Sequence, residues 1–467
     1  MTRSSHNLQQ VVCAAVAVLC LAGMTVPAWA QFETRATTTL PQGAFSIAGG
    51  DFNNDGFFDV VVIDDNGFTV SLGKGDGTFQ KGVYYPLTQL SYSVAVGDFN
   101  NDGNLDIVFA NLNPSTVTVY LGNGDGTFQP PISSNTTYGS LFVTVGDFNN
   151  DGKLDVAIID NGISILLGNG DGTFQQPNDN SSFAGAIWLA VGDFNNDHKL
   201  DVLACGSSYD SGYNIGVLLG NGNGTLQDSI NTPLEYMPAT VAAGDLNGDG
   251  KLDAVLGYYL AGVGVFMGNG DGTFHPVVNY NTTGLGNDEL SISDLNRDGK
   301  MDLVVSSSSG KSAGIDVFWG NGNGTLQAAQ FFSSGTDTGL LAVGDLNGDG
   351  LPDIALANGE VGTITMLNTG VVSFSPTTAA LTFTAPGEQT LKLTNKGTKT
   401  LSISSITSSG VAFKVRDTCG SSVAAGASCN ISVLFRPPHD GSYTGLITLV
   451  DSASSKPQFI ELSGSGN

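Results

Sequence analysis

Between residues 44 and 367 the chain is a succession of short runs in which apolar and polar positions alternate, bounded by clusters of Gly, Asn and Asp. No helical period appears in it, and alternation over four to eight residues predicts strands. One unit reads "SYSVAVGDF" (91–99), "LDIVFAN" (105–111), "STVTVYLG" (115–122) and "GTFQPPI" (126–132). The second run is apolar, the third is β-branched and alternating, and the fourth carries Pro, which only an edge strand tolerates. Four strands joined by tight turns in about 50 residues predict one antiparallel meander. The first run is built from small residues (Ala95, Val96, Gly97; Ala190, Val191, Gly192; Ala242, Ala243, Gly244), as a crowded central axis would require.

The unit recurs. "GDFNNDG", "GDLNGDG" or a near variant ("GDFNNDH", "SDLNRDG") places its first Asp at positions 51, 98, 147, 193, 245, 294 and 345, at intervals of 46 to 52 residues. A second motif, G-x-G-[DN]-G-T-[FL], follows at Gly73, Gly122, Gly168, Gly220, Gly268 and Gly320. The seventh repeat gives "NTGVVSF" in its place, while "QFETRATTTL" near the N-terminus resembles the start of a fourth strand. Residues 32–40 are therefore expected to supply the outer strand of the last unit. The predicted fold is all-β: a seven-bladed β-propeller over residues 31–370, followed by an immunoglobulin-like β-sandwich over 371–467. A β-solenoid is the competing fold for such repeats, but it predicts shorter units and no exchange of ends. Beyond residue 371 Asp becomes rare, Ser and Thr abound, and alternating runs appear at sandwich spacing.

Residues 1–30 read as a signal peptide: Arg3, an apolar run from Val11 to Met24, and a small-x-small site at Ala28-Trp29-Ala30. The expected product is secreted or displayed at the cell surface, with no membrane span in the mature chain. Export leaves Cys205, Cys419 and Cys429. The last two read as a local disulfide, and Cys205, in an apolar run without a neighbouring His, as a buried inert thiol rather than a nucleophile.

Composition sharpens this picture. Gly is abundant, at 64 of 467 residues, and only 13% of residues are charged, which suits strands and turns and excludes coiled coil. The net charge of −26 excludes nucleic acid and anionic membranes as partners.

Where the acids sit suggests their purpose. Six repeats carry D-x-N-x-D-G-x-x-D, the fourth departs from it only at the Gly, and the seven loops hold 21 of the 43 acidic residues. The candidate metal ligands at positions 1, 3, 5 and 9 are Asp51, Asn53, Asp55 and Asp59 in the first loop, and Asp98, Asn100, Asp102 and Asp106 in the second. The third offers Asp147, Asn149, Asp151 and Asp155; the fourth Asp193, Asn195, Asp197 and Asp201. The fifth offers Asp245, Asn247, Asp249 and Asp253, and the sixth Asp294, Asn296, Asp298 and Asp302. Asp345, Asn347, Asp349 and Asp353 complete the set. Hard oxygens at alternate positions of a tight loop, with no nitrogen or sulfur, match Ca²⁺ and not Zn²⁺. Up to seven Ca²⁺ are expected, cancelling about half the net charge. An EF-hand is excluded, because position 12 is apolar (Val62, Phe109, Ile158, Ala204, Leu256, Val305, Leu356) and a strand follows. In the fourth loop His198 replaces the turn Gly, so that site is expected to be the weakest. Arg297 and Pro352 fall between ligand positions.

Taken together, the D-x-N-x-D-G-x-x-D loop and the G-x-G-D-G-T-F hairpin resemble the FG-GAP/VCBS repeats of integrin-α-like propellers, over residues 32–367. The resemblance implies seven blades with Ca²⁺ between the first and second strands of a blade. The tail is similar to Hydin-type immunoglobulin-like domains at "VSFSP" (372–376), "LTNKGTKTLSISSI" (393–406), "CGSSVAAGASC" (419–429) and "LSGSG" (462–466). That likeness supports the Cys419–Cys429 bridge.

Catalytic equipment is sparse. Beyond residue 30 the His residues are His198, His275 and His439, and no nucleophile elbow, H-E-x-x-H pair or phosphate loop at a helix start occurs. The expected function is non-enzymatic binding or adhesion by a monomer, toward an extracellular glycan or protein, with Ca²⁺ structural. The alternatives are a lectin-like propeller, and the scaffold or accessory module of a polysaccharide lyase, which the resemblance implies. The face opposite the Asp loops carries Tyr84, Tyr85, Tyr92, Tyr138, Tyr209, Tyr213, Tyr236, Tyr258 and Tyr259, read either as a contact surface or as rings half-buried at strand ends.

Overall fold

The computed structural model describes residues 29–38, 44–208, 212–260, 262–284, 289–307, 314–334, 339–358, 362–375, 380–395, 400–451 and 458–466. The segment read as a signal peptide lies outside them up to residue 28. Among the described residues there is no helix, and hence none long and apolar enough to cross a membrane.

Alternation becomes antiparallel sheet. The first sheet is Ser46–Gly50, Asp59–Ile63, Gly67–Ser71 and Val83–Pro86, paired in that order. Five more sheets repeat the order. Their first and fourth strands are Leu90–Gly97 and Ile132–Asn135, Phe142–Gly146 and Asn178–Asn180, Ala186–Gly192 and Ile230–Pro233, Pro238–Gly244 and Val278–Tyr280, and Leu290–Ser293 and Gln330–Ser333. In the seventh sheet Leu340–Gly344, Asp353–Asn358 and Gly362–Ser375 come from the C-terminal side of the repeats, and the outer strand is Trp29–Thr38. Of the stretch 32–40, residues 39 and 40 lie outside the described residues. The first strands stand side by side in chain order, and Leu340–Gly344 stands beside Ser46–Gly50, so the sheets form a ring. This is a propeller, not a solenoid.

The core lies between sheets. Each second strand is buried on both faces and feeds two interfaces. Val61 and Ile63 pack toward the second sheet with Ile107 and Phe109, while Val60 and Val62 pack toward the seventh with Ala355, Ala357 and Leu367. Small first-strand residues are a steric requirement: a Cβ on Gly97 would lie 2.5 Å from the Leu154 side chain of the next sheet. Where Ser293 replaces this Gly, the corresponding residue of the next repeat is Pro352 rather than Leu.

Gly362–Ser375 continues past the propeller and pairs through Val372–Ser375 with Gly387–Asn395 of the second domain. That domain is two facing sheets around Phe383, Leu391, Leu393, Phe413, Ile431, Val433, Phe435 and Leu449. Cys419 and Cys429 are disulfide-bonded, with Cα atoms 4.9 Å apart. Cys205 is a free buried thiol, and burial pushes its pKa up.

Candidate metal centre

The seven Asp loops fold alike because the same side chains satisfy the same backbone amides. In the first, Asp51 accepts from the Asp55 and Gly56 N–H groups at 3.1 and 2.8 Å. Asp55 accepts from Phe57 N–H at 2.9 Å, and Asn53 Oδ1 from Asp55 N–H at 3.1 Å. These Asx-type bonds hold a turn that alternating strands cannot make themselves.

The ninth-position Asp behaves differently. Asp59, Asp106, Asp155, Asp201, Asp253, Asp302 and Asp353 are all fully buried. In Asp106 one oxygen takes the Phe99 N–H at 2.8 Å and the other the Gly122 N–H at 2.7 Å. This carboxylate therefore ties the Asp loop to the first Gly of the hairpin motif. Burial pushes the carboxyls of Asp59, Asp106, Asp155 and Asp201 up to about 6, and those of Asp302 and Asp353 to about 7, despite the two amides. Repulsion from the carboxylates at positions 1 and 5 adds to the shift, so each loop gathers three anions that disfavour one another.

The hairpin in turn reaches the neighbouring sheet. The third Gly of each motif sits at positive φ and donates its N–H to the preceding loop: Gly126 to Phe52 O at 3.0 Å, and Gly77 to Leu346 O, also 3.0 Å, across the ring closure. The seventh repeat lacks the hairpin, and Asn368 does both jobs. Its N–H donates to Asp353 Oδ1 at 2.7 Å, and its side-chain amide donates to Leu295 O of the sixth loop at 2.7 Å.

Two departures cost conformational energy. His198 adopts φ 64° where the other six loops have Gly at φ 80–85°. Its side chain is almost fully exposed and its Nδ1 lies 3.7 Å from Asp193 Oδ2, too far for a hydrogen bond. His198→Gly should therefore stabilise the chain by about 1 kcal/mol in chemical denaturation; a lower midpoint would show that the ring compensates for the strain. Loop position 4 also requires positive φ, met by Asn54, Asn101, Asn150, Asn196, Gly248 and Gly348, but by Arg297 at φ 54° in the sixth loop. Sequence spacing had marked Arg297 only as lying between ligands.

Among the described residues, no three carboxylate, imidazole or thiolate groups are drawn together closely enough to hold a metal in this arrangement. The donor chemistry nonetheless fits Ca²⁺. Each loop offers three carboxylates and one amide oxygen within nine residues, and the carboxylate oxygens that accept a single amide keep a second lone pair.

The opposite face is made by the turns between second and third strands and by the links between sheets. Tyr84, Tyr138, Tyr213, Tyr236 and Tyr259 are exposed, Tyr85 and Tyr92 half-buried, and Tyr258 buried; Tyr209 lies outside the described residues. Tyr85 stacks on Phe68 at 4.8 Å, and Tyr258 packs against Tyr236 at 5.5 Å. His275 and His439 are exposed, distant in sequence, and part of neither feature.

Comparison with known families matches the FG-GAP-like repeat over residues 51–109, 98–158, 156–204, 193–256, 245–305 and 294–356, together more than half of the chain. Residues 372–465 match the HYDIN/CFA65/VesB-like Ig-like domain. No curated protein matches the chain. The chain belongs to the FG-GAP-like repeat family and carries a HYDIN/CFA65/VesB-like Ig-like domain after its propeller.

Proposed function

We propose that this is an exported, calcium-stabilised propeller that binds an extracellular protein or glycan without catalysing a reaction. FG-GAP propellers are commonly binding and adhesion modules, which supports the general class. The observation that carries the placement is a cluster on the face away from the Asp loops. Tyr236 and Met237, in one link, and Tyr259 and Leu260, in the adjoining turn, are 39, 48, 54 and 66% exposed. Tyr259 N–H donates to Met237 O at 3.0 Å, which joins the two segments. Amphipathic rings with few rotatable bonds, beside a polarisable Met, suit contact with a partner. Ca²⁺ in this account holds the loops and does not touch the ligand.

The test is an array of glycans and purified extracellular proteins, probed with and without Ca²⁺, followed by two sets of variants. Tyr236→Ser with Tyr259→Ser should abolish capture while the chain stays folded. Asp→Ala at position 1 of each loop should reduce capture only as far as it reduces the folded fraction. A folded loop variant that loses all capture would move the site to that loop.

A further inference from the structure

The seven interfaces between sheets are not equivalent. In the first six sheets the third strand presents two large apolar side chains to the following sheet: Phe68 and Val70, Val117 and Val119, Ile163 and Ile165, Ile215 and Val217, Val263 and Val265, Ile315 and Val317. In the seventh sheet that pair is Thr363 and Thr365. Both lie opposite Ala357 and Ala355 in register, hence on the face turned to the first sheet. The first sheet answers with Thr69 and Ser71, cross-strand partners of Val62 and Val60, which face the seventh.

None of the four hydroxyls has a hydrogen-bond partner, although each residue is at least 96% buried. Asp64, just beyond this strand, uses one carboxylate oxygen for the Asn66 and Gly67 N–H groups and leaves the other unpaired. Among the described residues, five of the seven such orphaned atoms belong to these two strands and the turn beside them. An unpaired buried hydroxyl is a cost that its solvation on opening recovers. The seventh sheet is completed on its outer edge by Trp29–Thr38, whose Phe32 packs toward the sixth sheet and so adds nothing to this seam.

We propose that the ring has a built-in opening point between its seventh and first sheets, hinged on the Gly77-to-Leu346 bond of the loop face. The other six interfaces, each with an apolar third-strand pair, stay shut while this one parts, so the propeller opens to a C-shaped chain of sheets before it unfolds.

Native-state hydrogen exchange of the full chain, read by mass spectrometry, tests this directly. Peptides spanning 67–86 and 362–368 should exchange at least about tenfold faster than the equivalent strands of the second to fifth sheets. Thr363→Val with Thr365→Val restores the apolar pair and should slow those peptides alone by about tenfold, as expected when two unpaired buried hydroxyls are removed. Val117→Thr with Val119→Thr should create a second fast seam between the second and third sheets. Uniform exchange around the ring would overturn the proposal. So would faster or unchanged exchange in the Thr→Val variant, because the hydroxyls would then be engaged by bridging water.

Discussion

Asp106→Asn should destabilise the propeller by roughly 3–5 kcal/mol in chelator, and by more in excess Ca²⁺, where it also weakens the loop's cation site. The carboxylate is fully buried and each oxygen holds one backbone N–H, from Phe99 and from Gly122. Asn keeps the size but replaces one acceptor with an NH₂ donor, so one of the two amides faces another donor in a dry site. Each buried group left unsatisfied costs about 1–3 kcal/mol, and the charge assistance to the other bond is lost as well. Asp98→Ala, at the exposed start of the same loop, should cost less in chelator and more in Ca²⁺. Guanidinium denaturation of both variants, with the transitions of the two domains fitted separately, checks the contrast. An Asp106→Asn propeller as stable as the parent would mean that the loop and the hairpin do not depend on this carboxylate.

Removing residues 32–38 should have the second large effect, although no Asp loop is touched. Phe32 is buried at the interface of the sixth and seventh sheets, edge-on to Phe332 at 5.3 Å, in a cluster with Trp319, Ile354, Ile364 and Met366. Losing a buried Phe side chain alone costs about 3–5 kcal/mol. The deletion also uncovers the outer edge of Gly362–Ser375, an open row of N–H and C=O groups that invites pairing between chains. The expected result is soluble aggregate in size-exclusion chromatography and a melting transition lowered well below that of the parent. Phe32→Ala, which keeps the strand, should lose the packing energy but remain monomeric. A deletion variant that stays monomeric and melts like the parent would show that the strand contributes nothing to closure.

The all-β architecture was legible because both its signals are local. Period-two alternation marks strands, and an Asp/Asn/Gly loop every 46–52 residues marks the repeat. The Ig-like domain and the Cys419–Cys429 bridge were legible from the change in composition and from motif resemblance. What stayed hidden depends on distance in the chain. Asn368 looks like a lost hairpin glycine, and nothing in "NTGVVSF" announces that its amide reaches Leu295, 73 residues away. The strain at Arg297 was missed because spacing shows which residues flank a ligand, not which φ the turn demands. Tyr258 stood among the candidate contact residues, yet packing against Tyr236 withdraws it from the surface, while stacking on Phe68 leaves Tyr85 half-buried. The double duty of the ninth-position Asp was also beyond a motif, since its second partner is set by the folded sheet.

Paired melting curves with metal analysis test most directly whether the Asp loops are structural calcium sites. Ligand bound only by the native state raises its stability by mass action. With extracellular-type affinities of about 10⁻⁴–10⁻³ M, excess Ca²⁺ should raise the melting temperature and chelator should lower it. Titration calorimetry on the same sample should show several Ca²⁺ bound per chain, with the weakest binding at the His198 loop. Superimposable melting curves in Ca²⁺ and chelator, with no heat of binding and no metal retained after dialysis, would contradict it.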